Sequence, residues 1–153
     1  WEGCTKINKK HVIYDDKTGQ PVPAHQKLPL GATIGYGHLI KNGEFFRDGL
    51  AEIQATELLR RDIHVAEEAV CRNIKTNISQ NQFDALVIFA FNIGVKNFVN
   101  STVVKYINNT EFHSALYPTL EIAWKAWNKS GGRVMFGLKL RRNKEWELFN
   151  RDL

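Results

Sequence analysis

Apolar and polar positions alternate in two different ways along the chain. Up to residue 40, short runs such as HVIY and ATIGYG have the composition of β-strands, and the loop between them contains three prolines. From Ala51 to Ile74, apolar residues recur every three or four positions with charged residues between them, which predicts one long amphipathic helix. A small β-rich region therefore precedes a long helix.

The rest of the chain carries the signals of further helices. Ser79 and Gln82 have the spacing of a capping box, and an almost wholly apolar run follows them to Asn92. A helix that apolar belongs in the centre of a helical core, and Gly94 is placed to end it. Further helix starts are predicted at Ser101, Thr110 and Pro118–Thr119, the last of these three helices ends at Gly131–Gly132, and a final helix is predicted at 141–149.

This order of elements predicts an α+β fold with segregated lobes. We expect a single domain over residues 1–153, with a β-rich lobe at 1–50, a connecting helix at 51–76 and a helical lobe at 77–153. The cleft between two such lobes is the natural place for a polymer to bind.

The composition is that of a globular domain with an excess of positive charge. Of 153 residues, 43% are hydrophobic and 24% charged, so disorder is not expected, and the net charge of +5 favours polyanionic partners such as acidic wall polymers. The longest apolar run, residues 85–91, is far shorter than the roughly 20 residues that span a bilayer, so no membrane anchor is expected in this chain. The positive charge clusters in part at Lys139, Arg141, Arg142 and Lys144. Zinc-finger spacing and RNA-binding signatures are absent, so no nucleic-acid partner is expected.

The cysteines and histidines do not predict a metal site. Cys4 and Cys71 form no CxxC pair, and we expect both to be free, buried thiols. His11, His25, His64 and His113 lack the spacing of metal ligands, so no metal and no cofactor is expected.

Two carboxylates near the β-rich region are candidates for acid–base chemistry. Glycoside hydrolysis needs one protonated carboxyl, which delivers a proton to the leaving oxygen, and one ionised carboxylate. Asp16, in the turn YDDKTG, suits the ionised role because turn amides and water keep a carboxylate charged. Glu2 suits the acid role if apolar surroundings raise its pKa. The alternatives are that Asp16 only forms the turn and that Glu2 is only a solvated side chain.

Seven motifs, taken in order, give the chain a family resemblance. They are WEG, YDDKTG, TIGYGH, SQNQFDAL, FNIGVKNF, STVVKYIN and GGRVMFGLKLRR. Together they resemble the phage-type lysozymes and endolysins of glycoside hydrolase family 24, the T-even phage lysozyme family. The resemblance covers nearly the whole chain.

The resemblance implies a muramidase, which cleaves the β-1,4 bond between N-acetylmuramic acid and N-acetylglucosamine in peptidoglycan. The general acid of the family falls on Glu2, its catalytic Asp on Asp16, since Tyr14 fixes the count, and its catalytic Thr on Thr33. The family inverts the anomeric centre, so the carboxyls of Glu2 and Asp16 are expected about 6.5 to 9.5 Å apart, with room for a water.

The resemblance also implies residues that bind the saccharide. Asn92 in FNIG falls on an amide position that faces the cleft, and the alternative is that it caps the buried helix. Gly35 and Tyr36 in TIGYGH are expected along the saccharide, with the strand backbone running beneath it. Arg141 is the match for a basic residue that faces the active-site Glu, and Arg142 takes that place after a slip of one residue.

His38 has two interpretations. Its position beside the catalytic Thr motif suggests a general base, whereas the resemblance implies a structural role in which His38 pairs with Asp62 on the long helix. We expect the structural pairing, which would tie the lobes together.

The chain departs from the family pattern in two places. The segment between Gly19 and Thr33 is longer than the usual connection, and it either extends the hairpin and walls the cleft or is a tolerated loop insertion. Trp1 directly precedes Glu2, whereas the family has a helix before its catalytic Glu. A free α-ammonium beside Glu2 would lower the pKa of that Glu and oppose its acid role. We therefore expect a processed fragment or one domain of a longer chain, unless other groups raise that pKa.

The function implied is that of a phage or prophage endolysin. We expect a monomer that accumulates in the host cytoplasm and then acts on the peptidoglycan of the periplasm and cell wall at host lysis. The alternative is a non-catalytic or membrane-active wall-binding module that retains the fold. The presence of Glu2, Asp16 and Thr33 together argues against that alternative.

Overall fold

The computed structural model describes residues 4–151. The chain forms two compact units, and the boundary between them falls after Asp62. Short strands and turns form the first unit, and helices dominate the second. The combination is the α+β fold that the sequence predicts.

Two small antiparallel sheets make up the strands of the first unit. The five strands are β1 (Lys6–Ile7), β2 (Lys10–His11), β3 (Tyr14–Asp15), β4 (Ala32–Ile34) and β5 (His38–Leu39). β1 pairs with β2, and β3, β4 and β5 form a meander in which Tyr14 faces Thr33 and Ile34 faces His38. Ile13, Ile34 and Ala55 lie in the core beneath this sheet.

The glycines of TIGYGH form a turn, so the expectation of an unbroken strand over ATIGYG is wrong. β4 ends at Ile34, and Gly35 and Gly37 adopt φ values of +64° and +90°, which residues with a Cβ rarely adopt. The turn brings β5 back beside β4 within three residues. Gly35 is buried, and a Cβ built there would lie 3.6 Å from the Cβ of Ala55.

The predicted long helix is confirmed as α1 (Glu52–Asn73). The backbone N–H of Ala51 donates to Oε1 of Gln54 at 2.8 Å, which satisfies one amide at the start of the helix. Cys71 lies on its exposed side, one position after the buried Val70. Cys4 is also exposed. The expectation of buried thiols is therefore wrong, since the helical period places Cys71 off the apolar stripe and Cys4 precedes the first strand.

Helices build the second unit around one apolar core. They are α2 (Gln80–Ile93), α3 (Val95–Val99), α4 (Thr102–Asn108), α5 (Leu120–Lys125) and α6 (Phe136–Phe149), with the hairpin β6 (Lys129–Ser130) and β7 (Arg133–Val134) before α6. The capping box is confirmed, because Ser79 and Gln82 exchange hydrogen bonds of 3.2 and 2.9 Å. Phe89, Trp124 and Phe149 are buried together in the core.

Three helix predictions are wrong in detail. α5 ends at Lys125 and not at Gly131–Gly132, which form the turn of the β6–β7 hairpin. α6 begins at Phe136, five residues before the predicted start, because the β6–β7 hairpin leads directly into it. Thr110 starts no helix, and the chain from Thr110 to Thr119 is a series of turns and bends in which the Tyr106 hydroxyl donates to the Tyr117 carbonyl at 2.6 Å. Within residues 4–151, no helix is long and apolar enough to cross a membrane.

Candidate functional site

The two adjacent aspartates of YDDKTG have different surroundings. Asp15 forms the turn, since its Oδ1 accepts the N–H of Lys17 at 2.9 Å and its carbonyl accepts the N–H groups of Thr18 and Gly19. Asp16 follows on the turn with an exposed side chain, and within residues 4–151 its carboxylate accepts no hydrogen bond. The turn therefore needs Asp15 and leaves the Asp16 carboxylate available to solvent or a ligand.

The carbonyl of Gly31 connects Asp16 with Thr33. The backbone N–H of Asp16 donates to this carbonyl at 3.2 Å, and the hydroxyl of Thr33 donates to it at 2.9 Å. Gly31 has φ +92°, a conformation that favours glycine, as the chain turns into β4. One backbone oxygen thus receives a hydrogen bond from Asp16 and another from Thr33, two of the predicted catalytic residues.

This bond fixes the polarity of the Thr33 hydroxyl. A hydroxyl has one proton to donate, and Thr33 donates it to Gly31. The lone pairs of Oγ1 are then left to accept a hydrogen bond. An ionised carboxylate such as that of Asp16 also only accepts hydrogen bonds. A ligand that binds to both groups must therefore be a donor at both positions, as a water molecule is.

Tyr36 is held by a cluster around Glu52 at the start of α1. The Tyr36 hydroxyl donates to Oε1 of Glu52, while Lys6 Nζ and His11 Nε2 lie 2.7 and 3.1 Å from Oε2. The hydrogen bonds from Lys6, Tyr36 and His11 lower the pKa of Glu52 to about 2. The phenol oxygen of Tyr36 is therefore engaged within the first unit, and its ring edge packs on His11 at 5.0 Å between centroids.

His38 lies between two carboxylates. Its Nδ1 is 2.8 Å from Oδ2 of Asp62, and its Nε2 is 3.0 Å from Oε2 of Glu44. The hydrogen bond to Asp62 raises the pKa of His38, burial opposes the rise, and the hydrogen bond to Glu44 adds to it. Both ring nitrogens face acceptors, so the imidazolium is the form that satisfies this site. A ring held in this way has no free nitrogen to act as a base.

Asn92 lies in the last turn of α2 and contacts an arginine of α6. The guanidinium Nη2 of Arg142 donates to Oδ1 of Asn92 at 2.6 Å, and its Nη1 donates to the Trp127 carbonyl at 3.2 Å. Arg142 is 1% exposed, so it is a buried member of the basic cluster that the sequence shows. Of the two neighbouring arginines, Arg142 is the one bonded to Asn92, while the role assigned to Arg141 stays a prediction.

A buried carboxylate holds Arg142. Oε1 of Glu145 lies 2.6 Å from Nη2 of Arg142, and Oε2 accepts the indole N–H of Trp124 at 2.9 Å. Burial raises the pKa of Glu145, and the charge of Arg142 opposes that rise. The guanidinium also lies over the ring of Phe89, 5.2 Å from its centroid. Asn92, Arg142, Glu145 and Trp124 thus form one connected set.

The remaining predicted catalytic residue, Glu2, lies outside the described residues.

No sequence motif identifies Gly31 or Glu145 as part of the site, although the local sequence contains a signal for each of them. Gly31 stands two positions before Thr33, where a turn must enter the strand, and Glu145 stands at the i+3 position from Arg142 on a helix. Among residues 4–151, no group of three or more His, Cys, Asp or Glu side chains is arranged to hold a metal ion.

Comparison with known proteins gives a consistent family. The family model for phage lysozyme matches residues 8–145. The chain is 40% identical over 136 residues to the endolysin of Bacillus phage PZA, which covers 86% of this chain and 50% of that relative. It is 35% identical over 155 residues to the endolysin of Salmonella phage P22, with 96% and 94% covered. The chain spans about half the length of the Bacillus phage relatives that it matches, 50% and 42%.

Solved structures show the same likeness. The muramidase domain of SpmX from Asticaccaulis excentricus is 35% identical, with a TM-score of 0.62 over 82% of this chain and 84% of that one. An endolysin from the Escherichia coli O157:H7 phage FAHEc1 is 26% identical, with a TM-score of 0.61 over 97% and 86% of the two chains. These TM-scores show that both proteins share the fold class of this chain.

Proposed function

Because this chain belongs to the phage lysozyme family, we propose that it acts as a phage or prophage endolysin, a muramidase that hydrolyses the β-1,4 bond between N-acetylmuramic acid and N-acetylglucosamine. The observation that carries the proposal is the shared Gly31 carbonyl, which receives hydrogen bonds from the Asp16 amide and the Thr33 hydroxyl. It supports a site at which one water is held by two acceptors.

The two acceptors orient the nucleophile. A water that donates one proton to the Asp16 carboxylate and the other to Oγ1 of Thr33 has an oxygen lone pair left for the anomeric carbon. Asp16 then acts as general base and takes the proton as the new C–O bond forms. Thr33 fixes the direction of attack, because its own proton is committed to Gly31.

The family resemblance supplies the other half of the reaction. Glu2, as general acid, donates a proton to the departing oxygen of N-acetylglucosamine while the glycosidic bond breaks. Attack by water on the face opposite the leaving group inverts the anomeric centre. Asn92 then binds the glycan, and the candidate residues Gly35, Tyr36 and Arg141 complete the proposed contacts.

The proposed substrate accounts for the charge of the chain. Peptidoglycan and its associated polymers are anionic, and the net charge of +5 favours association with them at low salt. We propose that the enzyme is a monomer, that it accumulates in the host cytoplasm during phage replication and that it cleaves the wall at host lysis.

The test compares two adjacent aspartates. Asp16→Asn removes the proposed base, so peptidoglycan solubilisation should fall by on the order of a hundredfold or more, with the melting temperature nearly unchanged. Asp15→Asn is the matched control, because it makes the same chemical change in the same turn. It should keep most of the turnover and most of the melting temperature, since the Oδ1 of asparagine can still accept the Lys17 amide.

Product analysis identifies the reaction. Mass spectrometry of the released fragments should show reducing N-acetylmuramic acid ends, and Glu2→Gln should abolish them. Equal turnover by Asp15→Asn and Asp16→Asn would contradict the role of Asp16. If the unaltered protein binds peptidoglycan and releases no fragments, the chain is a wall-binding module and the proposed activity is wrong.

A further inference from the structure

We propose that the buried Arg142–Glu145 pair fixes the Asn92 amide as a hydrogen-bond donor, which recognises an acetamido carbonyl oxygen of the glycan. The inference rests on the proposed function and adds a positioning role for Arg142 and Glu145. It begins with the polarity of one contact. A guanidinium has donors and no acceptor, so the group of Asn92 that faces Nη2 must be the oxygen Oδ1.

The amide nitrogen of Asn92 is the group left for a ligand. Among residues 4–151, its Nδ2 donates to no partner, and the residue is half-buried at the end of α2. An asparagine side chain can ordinarily turn over and exchange its donor and acceptor. Here rotation by 180° about χ2 would set the NH2 group against the guanidinium, a contact of donor with donor. Asn92 therefore presents a donor.

The arginine is itself held in place from several sides. Nη2 is bonded to Glu145, Nη1 is bonded to the Trp127 carbonyl, and the ring of Phe89 lies against the guanidinium. Glu145 in turn accepts the indole N–H of Trp124, which is fully buried. A guanidinium with these contacts has little freedom to move. Its position therefore determines the orientation of the Asn92 side-chain amide.

A fixed donor is complementary to a group that can only accept a hydrogen bond. A hydroxyl adapts to either polarity by rotating, whereas the carbonyl of an acetamido group only accepts. Both sugars of peptidoglycan carry an acetamido group at C2. A donor with a fixed direction is suited to this oxygen, and binding would leave neither the Asn92 NH2 nor the carbonyl unpaired.

The test uses Asn92→Asp, which retains the partner of Arg142 and reverses the polarity toward the ligand. One carboxylate oxygen still accepts from Nη2, so the melting temperature should be maintained or rise. The other oxygen is an acceptor facing an acceptor, so affinity should fall about tenfold. Asn143→Asp on the exposed side of α6 is the matched control, because it adds the same charge beside Arg142.

Binding is measured by cosedimentation with insoluble peptidoglycan in the Asp16→Asn background, so that hydrolysis does not consume the polymer. Weaker binding by Asn92→Asp than by Asn143→Asp supports the proposal, and equal binding by the two overturns it. The same assay on chemically de-N-acetylated peptidoglycan should remove the difference between the variants. A difference of unchanged size would show that a hydroxyl is the acceptor and overturn the acetamido assignment.

The positioning role has its own readout. Glu145→Gln retains a side chain of the same shape but loses the charge that holds Arg142. With hydrolysis restored, it should raise KM several-fold and change kcat little, whereas a purely structural role would lower the folded fraction and leave KM unchanged. Loss of activity in the unaltered protein with intact, Asn92-dependent binding would refute the proposed reaction and retain this inference. Absence of wall binding by the Asp16→Asn parent would refute the inference.

Discussion

The two units support their candidate residues in different ways. In the first unit, Asp16 and Thr33 are attached to a backbone carbonyl at the edge of a turn. In the second, Asn92 is held by a buried arginine, a buried carboxylate and a tryptophan. A site built on backbone bonds depends on the local conformation of a few residues. A site built on buried side chains is coupled to the stability of the whole core.

This difference predicts where substitutions damage the fold and where they damage only the chemistry. Removing the Asp16 carboxylate or the Thr33 hydroxyl leaves the turn and the sheet in place. Removing Arg142 leaves the Glu145 carboxylate, 3% exposed, without its counter-charge. Stability and activity should therefore separate in the first unit, whereas loss of the buried Arg142 in the second unit should lower both.

The largest effect is expected for Arg142→Met. The free energy of unfolding should fall by about 3 to 5 kcal/mol, since a buried carboxylate loses its counter-charge. Burial already raises the pKa of Glu145, and without the opposing charge of Arg142 the pKa should rise further. A raised pKa makes the folded state favour the protonated acid, so the variant should be less destabilised at low pH and more so as the pH rises through that pKa.

Urea unfolding at several pH values measures this effect. The double variant Arg142→Met with Glu145→Gln is the control, because it removes the buried charge together with its partner. It should recover much of the lost stability. A single variant as stable as the unaltered protein would show that the second unit does not depend on this pair, and the comparison between the units would fail.

Thr33→Val should have the next largest effect, and on activity. Without the hydroxyl, the attacking water loses one of its two acceptors, so kcat/KM should fall on the order of a hundredfold. The free energy of unfolding should fall by only about 1 kcal/mol, from the lost bond to the Gly31 carbonyl. Thr33→Ser retains the hydroxyl and should retain most of the activity. An equally inactive serine variant would mean that the methyl group of Thr33 matters more than its hydroxyl.

The local sequence was enough to predict the arrangement of Asp16 and Thr33 in outline. Tyr14, Asp16 and Thr33 belong to two short motifs, and the pairing of Tyr14 with Thr33 brings the motifs together. The turn at Gly35 was not predicted, because a strand and a tight turn of similar composition differ only in φ. The capping box and the long helix were predicted because their signals lie within a few residues or repeat over many turns.

The arrangement of Asn92 and Arg142 depends on long-range contacts that sequence patterns do not contain. Asn92 and Arg142 are 50 residues apart, and only packing decides which of two adjacent arginines points inward. Arg142, rather than Arg141, lies on the side of α6 (Phe136–Phe149) that is buried in the core.

The pair formed by the buried His38 and the partly exposed Asp62 should have an intermediate effect, and it shows that the first unit also contains a charge-dependent element. Asp62→Asn should lower the free energy of unfolding by about 1.5 to 3 kcal/mol, because a charged hydrogen bond to a buried ring is lost. The raised pKa of His38 means that its contribution is complete below pH about 6.5 and is lost as the pH rises through the folded value.

The free energy of unfolding, measured between pH 5 and about pH 9, should show this loss in the unaltered protein. In Asp62→Asn it should depend less steeply on pH. Turnover per folded molecule should stay unchanged, since both ring nitrogens of His38 are occupied by carboxylates. A fully folded Asp62→Asn variant without activity would assign His38 a part in the chemistry and bring this pair into the site of the first unit.

The smallest effect is expected for Glu52→Gln. Lys6, Tyr36 and His11 all bond to this carboxylate, yet the side chain is 53% exposed, so solvent screens the charges. Because the pKa of Glu52 is lowered to about 2, its contribution is complete above pH about 4.5 and is lost as the pH falls through about 2. The stability of the variant and of the unaltered protein should therefore converge in strong acid and differ slightly at neutral pH.

Added salt gives a second measurement, because salt screens exposed charges. At 0.5 M added salt, about five times a 0.1 M buffer, the difference in unfolding free energy at neutral pH should become smaller, while the effect of Arg142→Met should stay nearly the same. A loss for Glu52→Gln as large as that for Arg142→Met would mean that the first unit is also coupled to its charged side chains, and the contrast between backbone support and buried side-chain support would disappear.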